Sequence, residues 1–326
     1  MRFAVYGTGG IGGYFGGRLA QAGEEVAFVA RGAHLDAMRA HGLVVESVRG
    51  DFTVRPVTAA DDPADIGPVD VVLVAVKTWQ LSDVAEAMAP LLGPDTIVLP
   101  FQNGVEASDL LAATVGRERV LLGAARIFAF IDGPGRIRHL GGPASLAFGE
   151  MDGGTSARVE RLRDVMERAG IAVERPADMR VALWEKLLFV VSLGGVGAVA
   201  RVPVGVLRSV PETRALLREA MDEIAAVARA SGVMLSDDAV ERALAAVDAQ
   251  PASATTSLQR DLAAGRRSEL DAWNGAVVRL GAAAGVPTPL HRFMYGALLP
   301  TELDARSART NVELIAGDLR DPVSRR

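Results

Sequence analysis

Near the start of the chain stands Gly7-Thr8-Gly9-Gly10-Ile11-Gly12, a G-x-G-x-x-G between a short apolar run and a helical stretch. Each glycine has a separate task. Gly7 permits a tight turn, Gly9 lets a pyrophosphate approach the backbone, and Gly12 lets helix and strand pack closely. Amides at the helix start, around Gly10 and Ile11, then face the phosphates. The bare pattern is weak in a chain with 35 glycines. Its place after a strand and before a helix favours a dinucleotide loop over a plain glycine turn. The next strand ends Phe28-Val29-Ala30-Arg31-Gly32. An NAD site places an acid near this point for the ribose 2′-hydroxyl. Arg31 stands there instead, and a guanidinium can stack on adenine and pair with a 2′-phosphate. NADPH is therefore the expected cofactor, against the plainer reading of Arg31 as a solvated surface residue.

Two further strands end in polar cargo, Lys77-Thr78-Trp79-Gln80 and Pro100-Phe101-Gln102-Asn103-Gly104. Ligands of open α/β sheets sit beyond such carboxyl ends. Lys77 and Gln80 could hold the cofactor's ribose, and Asn103 the carboxamide, the substrate, or both. Each could also be loop chemistry, since Asn-Gly is a common turn dipeptide. The second half of the chain carries a lone lysine in Leu183-Trp184-Glu185-Lys186-Leu187-Leu188. Its stem must be buried, and desolvation would suit the ammonium to give up a proton. The competing reading is a lysine that snorkels to water. Further on come Ser257-Leu258-Gln259-Arg260-Asp261-Leu262, then Gly265-Arg266-Arg267-Ser268-Glu269-Leu270-Asp271, then Asn274-Gly275.

The elements that must position these residues alternate at first between strand and helix. Strands are predicted at Phe3–Tyr6, Val26–Ala30, Val69–Val76 and Thr96–Leu99, with helices over Ile11–Ala22, over Ala33–Ala40 and from Ser82 to a stop at Gly93. Leu43–Val57 reads as a hairpin turning at Arg49-Gly50. The run VDVVLVAV is apolar on both faces, as a parallel strand covered by helices must be. Alternation of this kind implies a parallel sheet with right-handed crossovers. Short β segments punctuated by glycine follow from Val120 to Gly149. Past Arg175 the pattern is helical, with a helix over Pro211–Ala230 and another capped by Ser236. The domains expected are therefore 1–175 and 176–326. The polar last twenty residues read as a frayed end.

Bulk composition narrows the function. A chain of 326 residues is long for one domain, and 49% hydrophobic residues leave ample core material. A net charge of -5 and a pI near 5.5 argue against nucleic acid as a partner. No cysteine is present, which excludes disulfides, thiolate nucleophiles and Cys-ligated zinc. The four histidines show no metal-like spacing. The longest near-apolar run, Leu187–Ala200, is 14 residues, short of the about 20 a membrane span needs, and reads as a buried helix. No signal peptide is evident, so the cytoplasm is the expected location.

Taken together, GTGGIG, the strand ending in Arg31, VKTWQ, FQNG, WEKL and SLQRDLAAGRRSELDAWNG closely resemble the ketopantoate reductase (2-dehydropantoate 2-reductase) family. The motifs keep family order from residue 3 to about 290. The resemblance implies an α/β Rossmann domain followed by an all-α domain, with NADPH and a small 2-oxo acid in the cleft between. It implies Lys186 as catalytic lysine and Glu269 as catalytic-site carboxylate. Asn103 and Ser257 match substrate-contacting residues, and Lys77 and Arg31 cofactor-contacting ones. A homodimer is a further expectation. One departure stands out. Asparagines usually follow the family lysine at four and eight residues, whereas this chain has Val190 and Gly194. Both would share the lysine's helix face, so an apolar pocket wall is expected. Two alternatives follow: a related reductase for a more apolar 2-oxo acid, or a dinucleotide sensor without catalysis. A sensor would need neither Lys186 nor Glu269.

Overall fold

The computed structural model describes residues 1–318, with side chains through Ser307. It divides into two compact units, Met1–Leu183 and Trp184 onward. The division falls inside a helix, a little past the boundary expected at Arg175.

The first unit runs β1 (Arg2–Tyr6), α1 (Gly10–Gln21), β2 (Glu25–Val29), α2 (Gly32–His41), β3 (Leu43–Ser47), β4 (Phe52–Val54), β5 (Thr58–Ala60) and β6 (Val69–Val74). It continues with α3 (Leu81–Ala87), β7 (Leu92–Pro100), α4 (Ala107–Val115), β8 (Leu122–Ile131), β9 (Arg136–Gly149), α5 (Ala157–Arg168) and β10 (Ala172–Glu174). One sheet has the order β5-β2-β1-β6-β7, and every pair in it is parallel. The chain winds outward from β1 to β5, then crosses back to β6 on the other side of β1. That reversal is where a doubly wound sheet opens a crevice for a dinucleotide.

Burial follows the alternation of each strand. Phe3 and Val5 pack with Phe15 and Phe28 on one face, while Ala4 and Tyr6 pack with Leu81 and Leu111 on the other. The second sheet has the order β10-β9-β3-β4, with β8 antiparallel to β9. The predicted hairpin is β3–β4, and Gly50 turns it at φ +100°.

Between the two sheets lies α1, and its glycines set the spacing. A β-carbon on Gly12 would stand 2.2 Å from the Gly7 carbonyl oxygen, and one on Gly16 would stand 2.6 Å from Val5 Cγ2. On the opposite side, a β-carbon on Gly10 would stand 2.3 Å from the Ala129 carbonyl oxygen and one on Gly13 would stand 2.7 Å from Ile137 Cγ1. Glycine costs a helix interior up to about 1 kcal/mol each relative to alanine. The close approach of two sheets offsets that cost here.

Two expectations are corrected. Gly93 does not stop a helix, because β7 already begins at Leu92. Thr96 Oγ1 accepts the Gly93 N–H at 2.8 Å and donates to the Val69 carbonyl at 2.6 Å, which bulges β7 against β6. Ser236 does not cap the next helix. That helix starts at Ala239 with Asp238 at its cap position, and the Ser236 oxygens accept from Arg229 and Arg242 instead.

The second unit is helical. It comprises α6 (Met179–Ala200, shared with the first unit), α7 (Val204–Ser209), α8 (Pro211–Ala230), α9 (Ala239–Asp248) and α10 (Ser257–Ala263). A π-helical turn at Asp271–Gly275 then leads into α11 (Ala276–Ala284) and α12 (Pro289–Asp318). By length and composition α6 could cross a membrane, with a mean hydropathy of 1.6. Yet 67% of its most apolar window is buried inside the protein, as in a core helix. The helix α12 extends into the stretch expected to fray, and residues past Asp318 lie outside the described ones.

The glycine contacts generate a paired test. Gly12→Ala should cost about 1–3 kcal/mol in urea unfolding, the scale of overpacking. Gly9→Val should leave the unfolding midpoint near wild type, since nothing lies within 4 Å of its β-carbon position, yet abolish cofactor binding by fluorescence titration. Near-native cofactor affinity in Gly9→Val would show that the loop does not hold the pyrophosphate.

Candidate active site

At the carboxyl edge of the parallel sheet, Gly7 turns the chain at φ +97°. Its N–H donates to the Val29 carbonyl at 3.3 Å, and Thr8 Oγ1 donates to the same oxygen at 3.1 Å. The loop is thereby tied to the end of β2. Gly9 then occupies the cap position of α1, where no side chain bonds the first-turn amides. Such amides and the positive helix end are what attracts an anion, and nothing lies within 4 Å of a β-carbon position on Gly9. His34 on α2 buttresses the loop. Its Nδ1 accepts the Gly135 N–H at 3.0 Å, so the ring is neutral, and it sits against the Thr8 backbone. Burial holds its pKa below the ordinary histidine value.

Arg31 is exposed at the start of α2, on extended backbone. The phenol of Tyr6 lies beside it, buried at the end of β1, with its oxygen turned to the Arg31 guanidinium. Burial pushes the Tyr6 pKa up, against the pull of the Arg31 charge. Lys77 follows β6, half-buried, with its ammonium 5.8 Å from the centre of the Trp79 ring. Gln80 closes this turn by accepting the Lys77 backbone N–H at 3.2 Å, so its carbonyl serves the loop itself. Asn103 follows β7, half-buried, just before Gly104 at φ +115°. The structure thus brings Gly7, Gly9, Arg31, Lys77 and Asn103 to the ends of four strands along one edge.

Gln102 was not singled out from sequence. It is buried, and its Nε2 donates to the carbonyls of Val74 at 3.1 Å and Val76 at 2.8 Å. It therefore fixes the loop carrying Asn103 to the loop carrying Lys77. Its only sequence signal was its place at a strand end beside Asn103.

In the helical unit Lys186 is half-buried on α6, and its neighbour Glu185 pairs with Arg242 of α9. Val190, one turn on, is also half-buried. Gly194 departs from expectation. It is buried, and a β-carbon there would stand 2.7 Å from Trp273 Cζ3 and 3.5 Å from Leu258 Cδ2. The indole fills the volume that an asparagine would need, so Gly194 is a packing position rather than a pocket wall. The next glycines are used in the same way, since a β-carbon on Gly195 would stand 2.5 Å from Asn274 Nδ2 and one on Gly197 would meet the Gln259 side chain.

Ser257 is the first residue of α10, half-buried beside the cap residue Thr256. Thr256 and Gln259 form a reciprocal capping box, with the Thr256 N–H donating to Gln259 Oε1 at 2.9 Å. Glu269 is 8% exposed, at the entry to the π turn. Its carbonyl accepts the Trp273 N–H at 3.0 Å, and that of Leu270 accepts the Gly275 N–H at 3.1 Å. The helical unit thus carries a half-buried lysine on α6 and a buried carboxylate at the entry to the π turn.

A family model described as ketopantoate reductase PanE/ApbA matches residues 3–153, and its C-terminal counterpart matches residues 178–302. The chain belongs to the ketopantoate reductase family. It is an oxidoreductase, and its first unit is the NAD(P)-dependent Rossmann fold of that family. It is 34% identical over 295 residues to the 2-dehydropantoate 2-reductase of Halobacterium salinarum, covering 90% of this chain and 96% of that one. A PanE/ApbA family ketopantoate reductase from Ralstonia eutropha JMP134 matches at 35% identity and TM-score 0.86, covering 94% of this chain and 100% of that one. A D-mandelate dehydrogenase, solved with NADH and anilino(oxo)acetate, shares the fold at TM-score 0.85 and 23% identity, covering 94% and 99%.

The environment of Gly194 yields a direct test. Gly194→Asn should destabilise the protein by about 1–3 kcal/mol, because it overpacks the Trp273 contact. Val190→Asn, at a half-buried position, should cost less than 1 kcal/mol, of the order seen away from tight cores. Denaturant midpoints measure both, and equal costs would show that Trp273 yields freely.

Proposed function

We propose that this chain uses NADPH to reduce 2-dehydropantoate, a 2-oxo acid, to the 2-hydroxy acid pantoate in pantothenate biosynthesis. The observation that carries the reading is its likeness, across both units, to 2-dehydropantoate 2-reductases. The residues present fit the cofactor. Gly9 leaves room for a pyrophosphate over the uncapped amides of α1. Arg31 stands where an NAD site would carry an acid, and it pairs with a 2′-phosphate. Lys77 adds a second cation along the same edge.

When bound, the nicotinamide supplies the hydride. The protein supplies charge and orientation. Lys186 polarises the ketone oxygen and delivers the proton as the alkoxide develops. Glu269 orients the lysine and accepts a hydrogen bond from the new hydroxyl. Asn103 and Ser257 hold the carboxylate and hydroxyl end of the substrate.

One observation favours a second reading, in which a more apolar 2-oxo acid is preferred. The lysine's helix face carries Val190 where the family has an amide, and Trp273 closes the next turn at Gly194. A pocket lacking donors discriminates weakly among oxo acids that differ by a hydroxyl.

Initial rates of NADPH oxidation across a panel of 2-oxo acids separate the two readings. The first requires 2-dehydropantoate to give the highest kcat/KM, and the second an apolar acid. Lys186→Ala should lower turnover by about 10² to 10⁴, the scale of general acid catalysis, with NADPH still bound. Full turnover in that variant removes the proposed proton donor.

Cofactor choice is tested separately. Arg31→Ala should raise the Kd for NADPH by about tenfold or more, as loss of a charge-assisted bond does, with a much smaller effect on NADH. Equal losses would reduce Arg31 to an adenine platform.

A further inference from the structure

Among the described residues of the helical unit, Glu302 combines full burial with a charge that the reaction above does not use. It lies on α12 and is 0% exposed. One carboxylate oxygen, Oε2, accepts the Ser268 backbone N–H at 2.8 Å and the Ser268 hydroxyl at 2.6 Å. The other, Oε1, accepts from Arg306 Nε at 2.8 Å, one turn further along α12. Ser268 is itself buried, and its Oγ accepts the Leu270 N–H at 3.3 Å. Glu269 stands between the two residues so held.

Taking a carboxylate out of water costs several kcal/mol, which only close, charge-assisted bonds offset. The location of those bonds is informative. The segment from Arg266 to Ser268 has no regular structure, and α10 ends at Ala263. The Arg266 N–H still closes the end of α10 on the Asp261 carbonyl at 2.8 Å, but no helix or strand holds Arg267 and Ser268 before the π turn begins. The Glu302 carboxylate supplies that fixation at the residue before Glu269, and the Ser268 hydroxyl extends it to the residue after. A carboxylate that must meet a lysine and a nascent hydroxyl loses rate steeply with small displacements.

We propose that Glu302, acting through Ser268, is a positioning residue for Glu269 in the reductase reaction. The inference rests on the role of Glu269 given above. The test uses the full-length enzyme with NADPH and its best 2-oxo acid from the panel, comparing Ser268→Ala, Ser268→Thr, Glu302→Gln and Glu269→Ala. Ser268→Ala should lower kcat by about ten- to a hundredfold, the range for one bond to a charged group. NADPH affinity should be unchanged, and the pH profile of kcat should shift. Ser268→Thr, which keeps the hydroxyl, should recover most of the rate, and Glu302→Gln should fall between.

Wild-type kcat and pH profile in folded Ser268→Ala and Glu302→Gln, beside an impaired Glu269→Ala, would overturn the positioning role alone. A lower unfolding midpoint with unchanged kcat would do the same, since it marks a strap and nothing more. Full turnover in Glu269→Ala would overturn the role of Glu269 and this inference with it.

Discussion

The structure depends first on the absence of β-carbons along α1. A helix carrying ordinary side chains packs at 8–10 Å from its neighbour. With Gly12 and Gly16 toward β1 and Gly10 and Gly13 toward β8 and β9, the helix backbone meets both sheets directly. That contact decides where the helix N-terminus lies. The amides after Gly9 are carried to the end of β1, beside the ends of β2 and β6, and no flexible side chain intervenes. The position of these backbone amides is then fixed by the sheet. The ties from Gly7 and Thr8 to the Val29 carbonyl complete it, with His34 behind.

The helical unit repeats the device on α6. Gly194, Gly195 and Gly197 receive Trp273, Asn274 and Gln259 in turn. A lysine-bearing helix is thereby locked, through its glycines, to the π turn and to α10. These are the segments that follow Glu269 and begin at Ser257. Packing here also constrains chemistry. Once an indole occupies the space beside position 194, no amide can stand there, and the polarity of that helix face changes with it.

Charge is distributed with the same economy. The protein is acidic overall, yet the carboxyl edge of its parallel sheet carries Arg31 and Lys77, and its helical unit carries Lys186. Arg31 places an exposed cation just past the end of β2. Lys186 stands half-buried at the start of the apolar stretch of α6. Fully buried, the Glu302 carboxylate is spent on a loop backbone rather than on a ligand.

The sequence by itself determined the α/β-then-α order, the glycine turn between β1 and α1, and the tasks of Gly7 in the turn and Gly12 in close packing. These follow from local rules: alternation, β-branched runs, and a spacing that only a strand–turn–helix can satisfy. It also pointed to the strand ends carrying Arg31, Lys77 and Asn103, because a parallel sheet puts all such ends on one edge. Local rules failed where a distant residue had the casting vote. Gly93 resembled a helix stop until Thr96 bonded across to Val69. Gln102 looked like loop polarity until its amide was seen bridging two strands. Gly194 appeared to face a pocket on helical periodicity, which gives the side a residue points to but not what fills the space there. Trp273, far along the chain, filled it. The hold of Glu302 on Ser268 is of the same kind, since no spacing in the sequence links positions so far apart. Only the packed tertiary structure brings the carboxylate to that backbone, and burial then makes the bond strong.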